Sequence, residues 1–434
     1  MQQDYTRKIS KRTMIKKILF ILYILILVCM AAASIVEKTE GTDYAHVHYY
    51  GAWWFILIWA ALAALGIFYL IQRKVKAVST WALHLSFVII LVGAFITHVN
   101  GKQGMMHLRI GEPSDIYFSN NPAEGIQQRK LPFTLSLQKF YIHLYEGTNV
   151  VRDYSSQFLV TDHYEMEEAK VSLNKIYTHG SYRFYQASYD EDGMGSVLAI
   201  NSDPFGIPVT YCGYFLLFAS LVWILFDKKG GYRKLLKRSY QQFRNLLIVI
   251  FSLVGIGFIF LIYHFSHTDF STGERAPILN SPYFCLHVSV IMMSYVLLIL
   301  TCLCGILGIC WRSRQERMRD LSHLFLYPAL TTMGFGIFIG AIWANVSWGN
   351  YWSWDSKETW ALITFMIYAV VVHTQSLPVF RKPLVYHIYI TLAFMSIAMT
   401  YFGVNYFLTG MHSYAQKIAF SIIFYSIKTE RQRL

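Results

Sequence analysis

Long apolar runs separated by short polar stretches make up most of this 434-residue chain. A run of about 20 apolar residues has the length at which an α-helix crosses the hydrocarbon core of a bilayer. The stretch 414–427 is short for such a helix, so the pattern does not decide whether it forms a tenth span. The pattern predicts nine transmembrane helices, to within several residues, at 17–35, 52–72, 79–99, 207–226, 246–265, 284–307, 324–344, 360–378 and 384–407.

The segment 100–206 has a different pattern. Its run "KLPFTLSLQKFYIHLY" alternates apolar and polar residues, which is typical of half-buried β-strands, and it is long enough to bury a core of its own. We predict a small antiparallel β domain that ends at Asp203-Pro204. The predicted fold class is an all-α polytopic membrane bundle of nine to ten transmembrane helices with one small extracytoplasmic β-rich domain. The chain would divide into residues 1–99 with three spans, the β domain at 100–206, and residues 207–434 with six spans.

Lysine and arginine cluster in alternate loops, and short basic loops stay on the cytoplasmic side of a membrane. The N-terminus and the loops with "RKVK", "KKGGYRKLLKR", "RSRQERMR" and "RK" at 381–382 fall on that side. The β domain and the stretch 348–360 fall on the other side. The formal net charge of +13 is then mostly a topological signal. Segment 100–206 carries 13 acidic against 9 basic side chains, so we expect no nucleic-acid binding.

The first span follows a basic segment, but a second span comes close behind it and no small-residue cleavage site is evident. We therefore expect the first span to be retained. The cysteines lie in or beside apolar runs and form no C-x-x-C pair, which argues against a disulfide framework or a zinc site. Any thiol chemistry would come from a partner. The six cysteines are Cys29, Cys212, Cys285, Cys302, Cys304 and Cys310.

Histidines inside spans are candidate functional residues, because ionisable side chains are costly in a membrane. His84 lies five or six residues inside the cytoplasmic end of the third span, and His373 lies about five residues from the same end of the eighth. At a rise of 1.5 Å per residue, both are roughly 8 Å deep. We predict that these two imidazoles lie in one layer.

A second set of candidates lies at the outer ends of the spans. His287 begins the sixth span and His412 follows the ninth, while "WGNYWSWDSKETW" at 348–360 joins the seventh and eighth at the same height. Two imidazoles and a group of indoles at one level suggest a flat, apolar, metal-bearing ligand. Haem fits this description, with histidine nitrogens as axial ligands of its iron.

Plainer interpretations stay open. Tryptophan and tyrosine are enriched at membrane interfaces through amphipathicity alone, and a histidine in a span often makes only a helix-helix hydrogen bond. An interfacial belt does not require Asp355, Lys357 and Glu358 among its indoles. These charges are more typical of a fixed loop that hydrogen-bonds to itself or to ligand carboxylates. Histidines without a partner at matching depth are interpreted as interfacial or solvated: His46, His48, His98, His107, His143, His163, His179, His264 and His267.

The stretch 348–360 resembles the signature of the WWD haem-handling proteins, and its "WDSKETW" ending is closest to the CcsA branch of the System II cytochrome c synthases. "LHVSVIMMSY" around His287, "GMHSY" around His412 and "WALITFMIYAVVVHTQ" around His373 resemble the histidine segments of that family. The first three spans and the β domain, with "YRFYQASYD" and "NSDPFG" near its end, are similar to the ResB or CcsB partner. The whole chain resembles a fused CcsB-CcsA (ResB/ResC-like) synthase.

The resemblance implies cytochrome c biogenesis in a bacterial inner membrane. Haem b, as the substrate, would pass from an inner site to an outer one and be joined by thioether bonds to the C-x-x-C-H motif of apocytochrome c, with help from a thiol-reducing partner protein. His84 and His373 would be the inner axial ligands of the iron, and His287 and His412 the outer ones. The tryptophan loop, residues 343–360, would stack on the porphyrin and fix its vinyl groups.

The residues implied to be catalytic are His287, His412, Trp348, Trp352, Trp354 and Asp355. Those implied to bind haem in addition are Gly349, Tyr351 and Trp360. Lys357 is a candidate partner for a haem propionate and equally for a salt bridge within the loop.

Two departures from the family pattern bear on these expectations. The β domain is short for a CcsB partner, which concerns its contacts with apocytochrome. His373-Thr374-Gln375 stands where the family often has His-Thr-Arg, which removes a cation for a haem carboxylate.

Two other functions stay open. A haem translocator or chaperone without ligase activity would use the same histidines, and a membrane b-type electron carrier would leave the tryptophan loop unexplained.

Overall fold

The computed structural model describes residues 2–121, 125–162, 165–273, 276–374 and 376–408, with side chains from residue 13 onward except at 120 and 121. His412, Gln375 and the stretch 414–427 lie outside the described residues. The helices are α1 (Gln2–Glu40), α2 (Thr42–Ala45), α3 (Trp53–Gln72), α4 (Val78–Asn100), α5 (Gly206–Phe226), α6 (Gly231–Ser266), α7 (Pro282–Cys310), α8 (Gln315–Trp348), α9 (Ser356–Val370), α10 (Pro383–Ala398) and α11 (Val404–Phe407).

Seven segments of the described chain are long and apolar enough to cross a membrane, judged by length and composition. One of them, Gly206–Ser266, contains both α5 and α6 and so accounts for two of the predicted spans. The span predicted at 360–378 corresponds to α9, whose 15 residues are extended by the 3-10 turn Val371–His373. The seven segments are Thr13–Glu40, Trp53–Gln72, Val78–Asn100, Gly206–Ser266, Pro282–Cys310, Arg312–Trp348 and Pro383–Phe407. The predicted polytopic helical bundle is confirmed.

The β domain between α4 and α5 is one antiparallel sheet in the order β5-β4-β3-β2-β1-β8-β7-β6. Its core follows from the alternation seen in the sequence, since Leu131, Phe133, Leu135 and Leu137 are all at most 5% exposed and pack with Phe184. The prediction of a β-rich domain is confirmed. The strands are β1 (Lys102–Arg109), β2 (Ser114–Asn121), β3 (Gly125–Leu144), β4 (Val151–Thr161), β5 (Met166–Ser172), β6 (Tyr177–His179), β7 (Tyr182–Tyr189) and β8 (Gly195–Ser202).

Small residues bring α4 and α5, the helices that enter and leave the β domain, into close contact. A Cβ on Gly93 would lie 2.3 Å from Thr210 Oγ1, and a Cβ on Gly213 would lie 2.6 Å from Ile90 Cγ1. Glycine at such positions lets two helix backbones approach closely within a membrane. The pair therefore forms a closely packed base that connects the β domain to the helical bundle.

We predict that Gly93→Val destabilises the protein, because the new side chain meets the backbone and hydroxyl of Thr210. Overpacking of this kind costs about 1–3 kcal/mol. Gly66→Val on α3 is the matched control, since no atom lies within 4 Å of a Cβ there. The measurement is the midpoint of thermal aggregation in detergent. Equal midpoints for the two variants would contradict the close α4-α5 contact.

Candidate functional site

The structure brings the predicted inner pair, His84 on α4 and His373 just after α9, together. The ring centroids lie 6.2 Å apart and the ring planes cross at 88°. His84 is half-buried, and His373 is exposed on the surface of the bundle. The two imidazoles therefore occupy one layer, toward the end of the bundle that is opposite the β domain.

Hydrogen bonds in this pair determine which ring nitrogen is free to bind a metal. Nδ1 of His84 lies 2.8 Å from Thr80 O, and Nδ1 of His373 lies 2.8 Å from Ala369 O. A carbonyl only accepts, so each Nδ1 carries the proton and each Nε2 keeps a lone pair. Two imidazoles on opposite sides of one metal ion have centroids about 6 Å apart, given metal–nitrogen bonds of about 2.0 Å. The observed centroid distance of 6.2 Å is close to that separation.

His287 lies near the start of α7 and faces α8. Its Nδ1 is 2.7 Å from Gly336 O, and its ring lies against the indole of Trp343 at 6.4 Å, with 23° between the planes. Gly340 provides the space for this ring, because a Cβ there would lie 2.6 Å from it. The orientation of His287 is therefore set by α8. Its predicted partner His412 lies outside the described residues, so the outer pair stays a prediction.

The tryptophan loop leads the chain from α8 into α9. Gly349 ends α8 in the left-handed conformation at φ 86°, where glycine is favoured. Asp355 caps α9, since its Oδ1 accepts from the backbone N–H of Lys357 at 2.8 Å. Glu358 Oε2 accepts from the backbone N–H of Ser353 at 2.9 Å. Acidic groups at these positions are typical of a helix start. Asp355 and Glu358 thus hydrogen-bond within this segment, whereas Lys357 Nζ donates to Asn405 Oδ1 on α11 at 3.0 Å.

The indoles of the loop do not form one continuous surface. Trp348 packs edge-on against Trp343 at 5.1 Å, beside the start of α7. Trp354 stacks on Tyr50 at 4.9 Å with 5° between the planes, and Trp352 meets Trp354 edge-on at 5.7 Å. Trp348, Trp352 and Trp354 are each half-buried. The aromatic surface is therefore divided between the α7 side and the side that faces the N-terminal helices.

The β domain holds the start of the tryptophan loop. Asn201 donates from Nδ2 to Gly349 O, and the ring of Tyr185 lies so close that a Cβ on Gly349 would be 2.6 Å from it. Arg183 donates to Asn345 Oδ1 at 3.0 Å. The last two strands of the sheet thus fix the end of α8 and the turn that follows it. Further hydrogen bonds across this contact join Ser347 to Asn174 and Asn350 to Gln103.

Tyr351 ties the middle of the loop to the base of the β domain. Its hydroxyl lies 2.8 Å from Thr97 Oγ1 on α4 and accepts from Thr210 Oγ1 on α5 at 3.3 Å. Thr97 Oγ1 in turn donates to Asp203 Oδ2 at 2.5 Å. Burial raises the pKa of Tyr351, so its phenol is protonated near neutral pH and acts as a hydrogen-bonding group rather than a charge.

Two family models match the chain in adjoining stretches. Residues 211–412 match the family described as Cytochrome C assembly protein, and residues 74–210 match the ResB-like family. Cytochrome c biogenesis protein CcsA of Guillardia theta is 30% identical over 215 residues, which cover 40% of this chain and 69% of that protein. The chain belongs to the cytochrome c assembly family.

Other relatives of this fused assembly protein are matched over part of their length. Protein NrfI of Wolinella succinogenes is 35% identical over 186 residues, covering 40% of this chain and 21% of NrfI. CcsA of Chlamydomonas reinhardtii is 34% identical over 151 residues, covering 32% of this chain and 42% of that protein. The match thus spans about a fifth of NrfI and under half of the Chlamydomonas protein. Family membership supports a role in cytochrome c maturation.

Sequence reasoning missed the residues of the fused assembly protein that hold the tryptophan loop from a distance. Arg183 and Tyr185 lie in "YRFYQASYD", and Asn201 lies in "NSDPFG". Strand alternation marks such residues as partly buried but does not reveal which distant segment they face. The sequence offered one indication of their importance, because these two segments are the ones that resemble the ResB family.

Two further histidines were also missed, His323 on α8 and His387 on α10. His387 is fully buried and its Nε2 lies 3.0 Å from Gln315 O. The ring of His323 packs on Tyr386 at 4.7 Å. These contacts fit the helix-helix role that a histidine in a span commonly has.

We predict that Asp355→Asn is tolerated and that Asp355→Ala is not. Asparagine caps a helix about as well as aspartate, whereas alanine leaves the N–H of Lys357 without this acceptor and costs about 1 kcal/mol. Hydrogen exchange of peptides covering 355–362 measures the effect as faster exchange. If asparagine is as harmful as alanine, the negative charge is required and capping is not the role of Asp355.

We also predict that Gly349→Ala displaces the tryptophan loop. The substitution combines an unfavourable positive φ with a clash against the ring of Tyr185. Gly180→Ala isolates the backbone cost, because Gly180 has φ 57° and no atom lies within 4 Å of its Cβ position. The expected result is a larger fall in thermal stability for Gly349→Ala. Equal falls would mean that the contact with Tyr185 contributes nothing.

Proposed function

We propose that this protein binds haem b at His84 and His373, passes it to an outer site at His287 and His412, and attaches it to apocytochrome c. In this proposal the membrane is the bacterial inner membrane, with the β domain and the tryptophan loop in the periplasm. The acceptor is the C-x-x-C-H motif of the apocytochrome, whose cysteines a separate thiol-reducing protein keeps reduced. The protein is then a holocytochrome c synthase, a haem lyase.

The observation that carries the proposal is the geometry of His84 and His373. His84 and His373 lie 6.2 Å apart between ring centroids, and each bonds through Nδ1 to a backbone carbonyl, which leaves its Nε2 lone pair available as a ligand. Neutral imidazoles bind iron without adding charge inside a membrane. The exposed position of His373 on the bundle surface also suits a substrate that arrives through lipid.

The outer site is supported by the fixed tryptophan loop. Gly336 O of α8 accepts from His287 Nδ1 at 2.7 Å and so orients this ring. The indole N–H of Trp352 is buried and has no hydrogen-bond partner among the described residues, so it is available to a ligand. Lys357 donates to Asn405 Oδ1 at 3.0 Å, so a propionate would have to share or replace that contact.

The chemistry requires little from the protein beyond positioning. Addition of a cysteine S–H across a haem vinyl group forms one C–S and one C–H bond and needs no oxidant, since the thiol supplies both sulfur and hydrogen. The described cysteines of this chain are free and lie on the membrane helices. The contribution of the protein is to hold iron, porphyrin and acceptor peptide in register, which replaces a bimolecular encounter by a prearranged one.

The test is to purify the protein in detergent and record the absorption spectrum of its reduced form. The same spectrum is recorded for the His287→Ala variant, before and after imidazole is added. We expect haem with two imidazole ligands, an altered spectrum in the variant, and partial return of the original spectrum when imidazole fills the vacated position. His267→Ala is the control, because His267 lies on an exposed turn after α6. A protein that binds no haem, or a His287→Ala spectrum equal to the control, would contradict the proposal.

Ligase activity is tested separately. The protein is co-expressed with an apocytochrome in a host that lacks its own cytochrome c assembly system, and the mass of the C-x-x-C-H peptide is measured after denaturation. A peptide heavier by one haem supports the synthase. Haem binding without that product would instead identify a haem translocator or chaperone.

A further inference from the structure

Residues 2–73 precede the two matched stretches, the first of which begins at residue 74, and side chains of this segment pack against α9 and the tryptophan loop. Helix α1 packs along α9, where Ile26 and Met30 join Ile363 and Met366 in one buried cluster. The Tyr23 hydroxyl donates to Met366 O at 2.6 Å. The helix that connects the tryptophan loop to His373 is therefore supported along its length by the N-terminal helix.

Glu37, near the end of α1, makes the deepest polar contact of this kind. Its side chain is 4% exposed; Oε2 accepts from Ser356 Oγ at 3.1 Å, and Oε1 accepts from Thr42 Oγ1 at 3.3 Å. Ser356 is the first residue of α9 and is fully buried. Glu37 makes no ion pair with any described residue, and the carboxyls of Asp355 and Glu358 are its electrostatic neighbours. A buried acid in such surroundings is present for its hydrogen bonds.

Two more contacts join the loop and the start of α9 to the N-terminal segment. The Trp360 indole N–H donates to Ser34 Oγ at 3.0 Å, and Tyr50 stacks on Trp354. Trp354 has φ 58°, a left-handed conformation that a tryptophan adopts only when its surroundings hold it there. The stack on Tyr50 and the hydrogen bond from Thr359 Oγ1 to Trp354 O hold it. The N-terminal segment thus determines where this indole points.

We propose that Glu37 is a positioning residue of the outer haem site, and that α1 with residues 42–50 forms a third part of that site beside the β domain and the assembly-family helices. The inference rests on the proposed function in that the loop is taken to hold haem. Glu37 acts through Ser356, and so through the start of α9, without touching the substrate. Its two hydrogen bonds, rather than a negative charge, are what the loop requires.

The test compares Glu37→Ala and Glu37→Gln with Glu40→Ala, which removes an exposed carboxylate from the last turn of the same helix. Alanine leaves Ser356 without its acceptor, whereas glutamine can accept from Ser356 and donate to Thr42. We measure hydrogen exchange of peptides covering 348–360 in the purified full-length protein, with peptides covering β3 at 125–144 as the internal reference. We also record the reduced haem spectrum of each variant.

We expect about tenfold faster exchange at 348–360 in Glu37→Ala, with the β-domain peptides unchanged, because loss of a buried acceptor loosens the helix start. The part of the spectrum that depends on His287 should change while the part that depends on His84 and His373 stays. Glu37→Gln should restore both readouts, and Glu40→Ala should resemble the unmodified protein.

Four results would overturn the proposal. Exchange in Glu37→Ala equal to that in Glu40→Ala would show that Glu37 does not hold the loop. Faster exchange throughout the protein would assign Glu37 to general folding. Faster loop exchange with an unchanged spectrum would separate Glu37 from the haem site. If Glu37→Gln does not restore the exchange rate and the spectrum, the negative charge of Glu37 is required. The hydrogen-exchange measurement does not require bound haem. A protein that binds no haem would therefore refute the proposed function, and the exchange data would still test the contact between Glu37 and the loop.

Discussion

The start of α9 is the constraint on which the arrangement of the site depends. Asp355 caps this helix, Glu358 accepts a hydrogen bond from Ser353 in the loop, and Ser356 donates to Glu37 of the first helix. A helix of 15 residues is about 22 Å long. Because α9 runs from the tryptophan loop to the turn that carries His373, fixing its start also fixes the separation between the two levels at which haem is proposed to bind.

Three parts of the chain meet at the tryptophan loop. Strands β7 and β8 hold its beginning, the α4-α5 base holds its middle through Tyr351, and α1 holds its end. A single hydrogen bond contributes only about 0.5–1.5 kcal/mol, so no one of these contacts is sufficient. Together they keep Trp354 at a positive φ that an isolated loop would not retain. Joining the ResB-like and CcsA-like parts in one chain makes this shared support intramolecular.

Features with a local signature could be predicted from the sequence. Apolar runs located the membrane helices, and alternation at Leu131–Leu137 located the sheet, because both patterns repeat over neighbouring residues. The runs underestimated α6, which begins at Gly231 rather than 246, because its first turns are polar and an apolar run does not include them. Depth along two spans was enough to bring His84 and His373 into one layer.

Contacts between distant segments had no such signature. The stack of Trp354 on Tyr50 and the hydrogen bonds from Arg183 to Asn345 and from Ser356 to Glu37 join residues far apart in sequence. One local signal was present, since Asp355 and Glu358 have the spacing of a capping box. It accounts for Asp355, which caps α9, whereas Glu358 accepts from the backbone N–H of Ser353 in the loop.

We propose that one iron binds between His84 and His373. The most direct measurement is the electron paramagnetic resonance spectrum of the oxidised, detergent-purified His287→Ala variant, which leaves the inner pair as the remaining site. Ring planes that cross at 88° predict the strongly anisotropic low-spin signal of perpendicular imidazole ligands, lost when either His84 or His373 is also replaced by alanine. The absence of a low-spin haem signal, or a signal that survives both replacements, would show that these two histidines do not hold the iron.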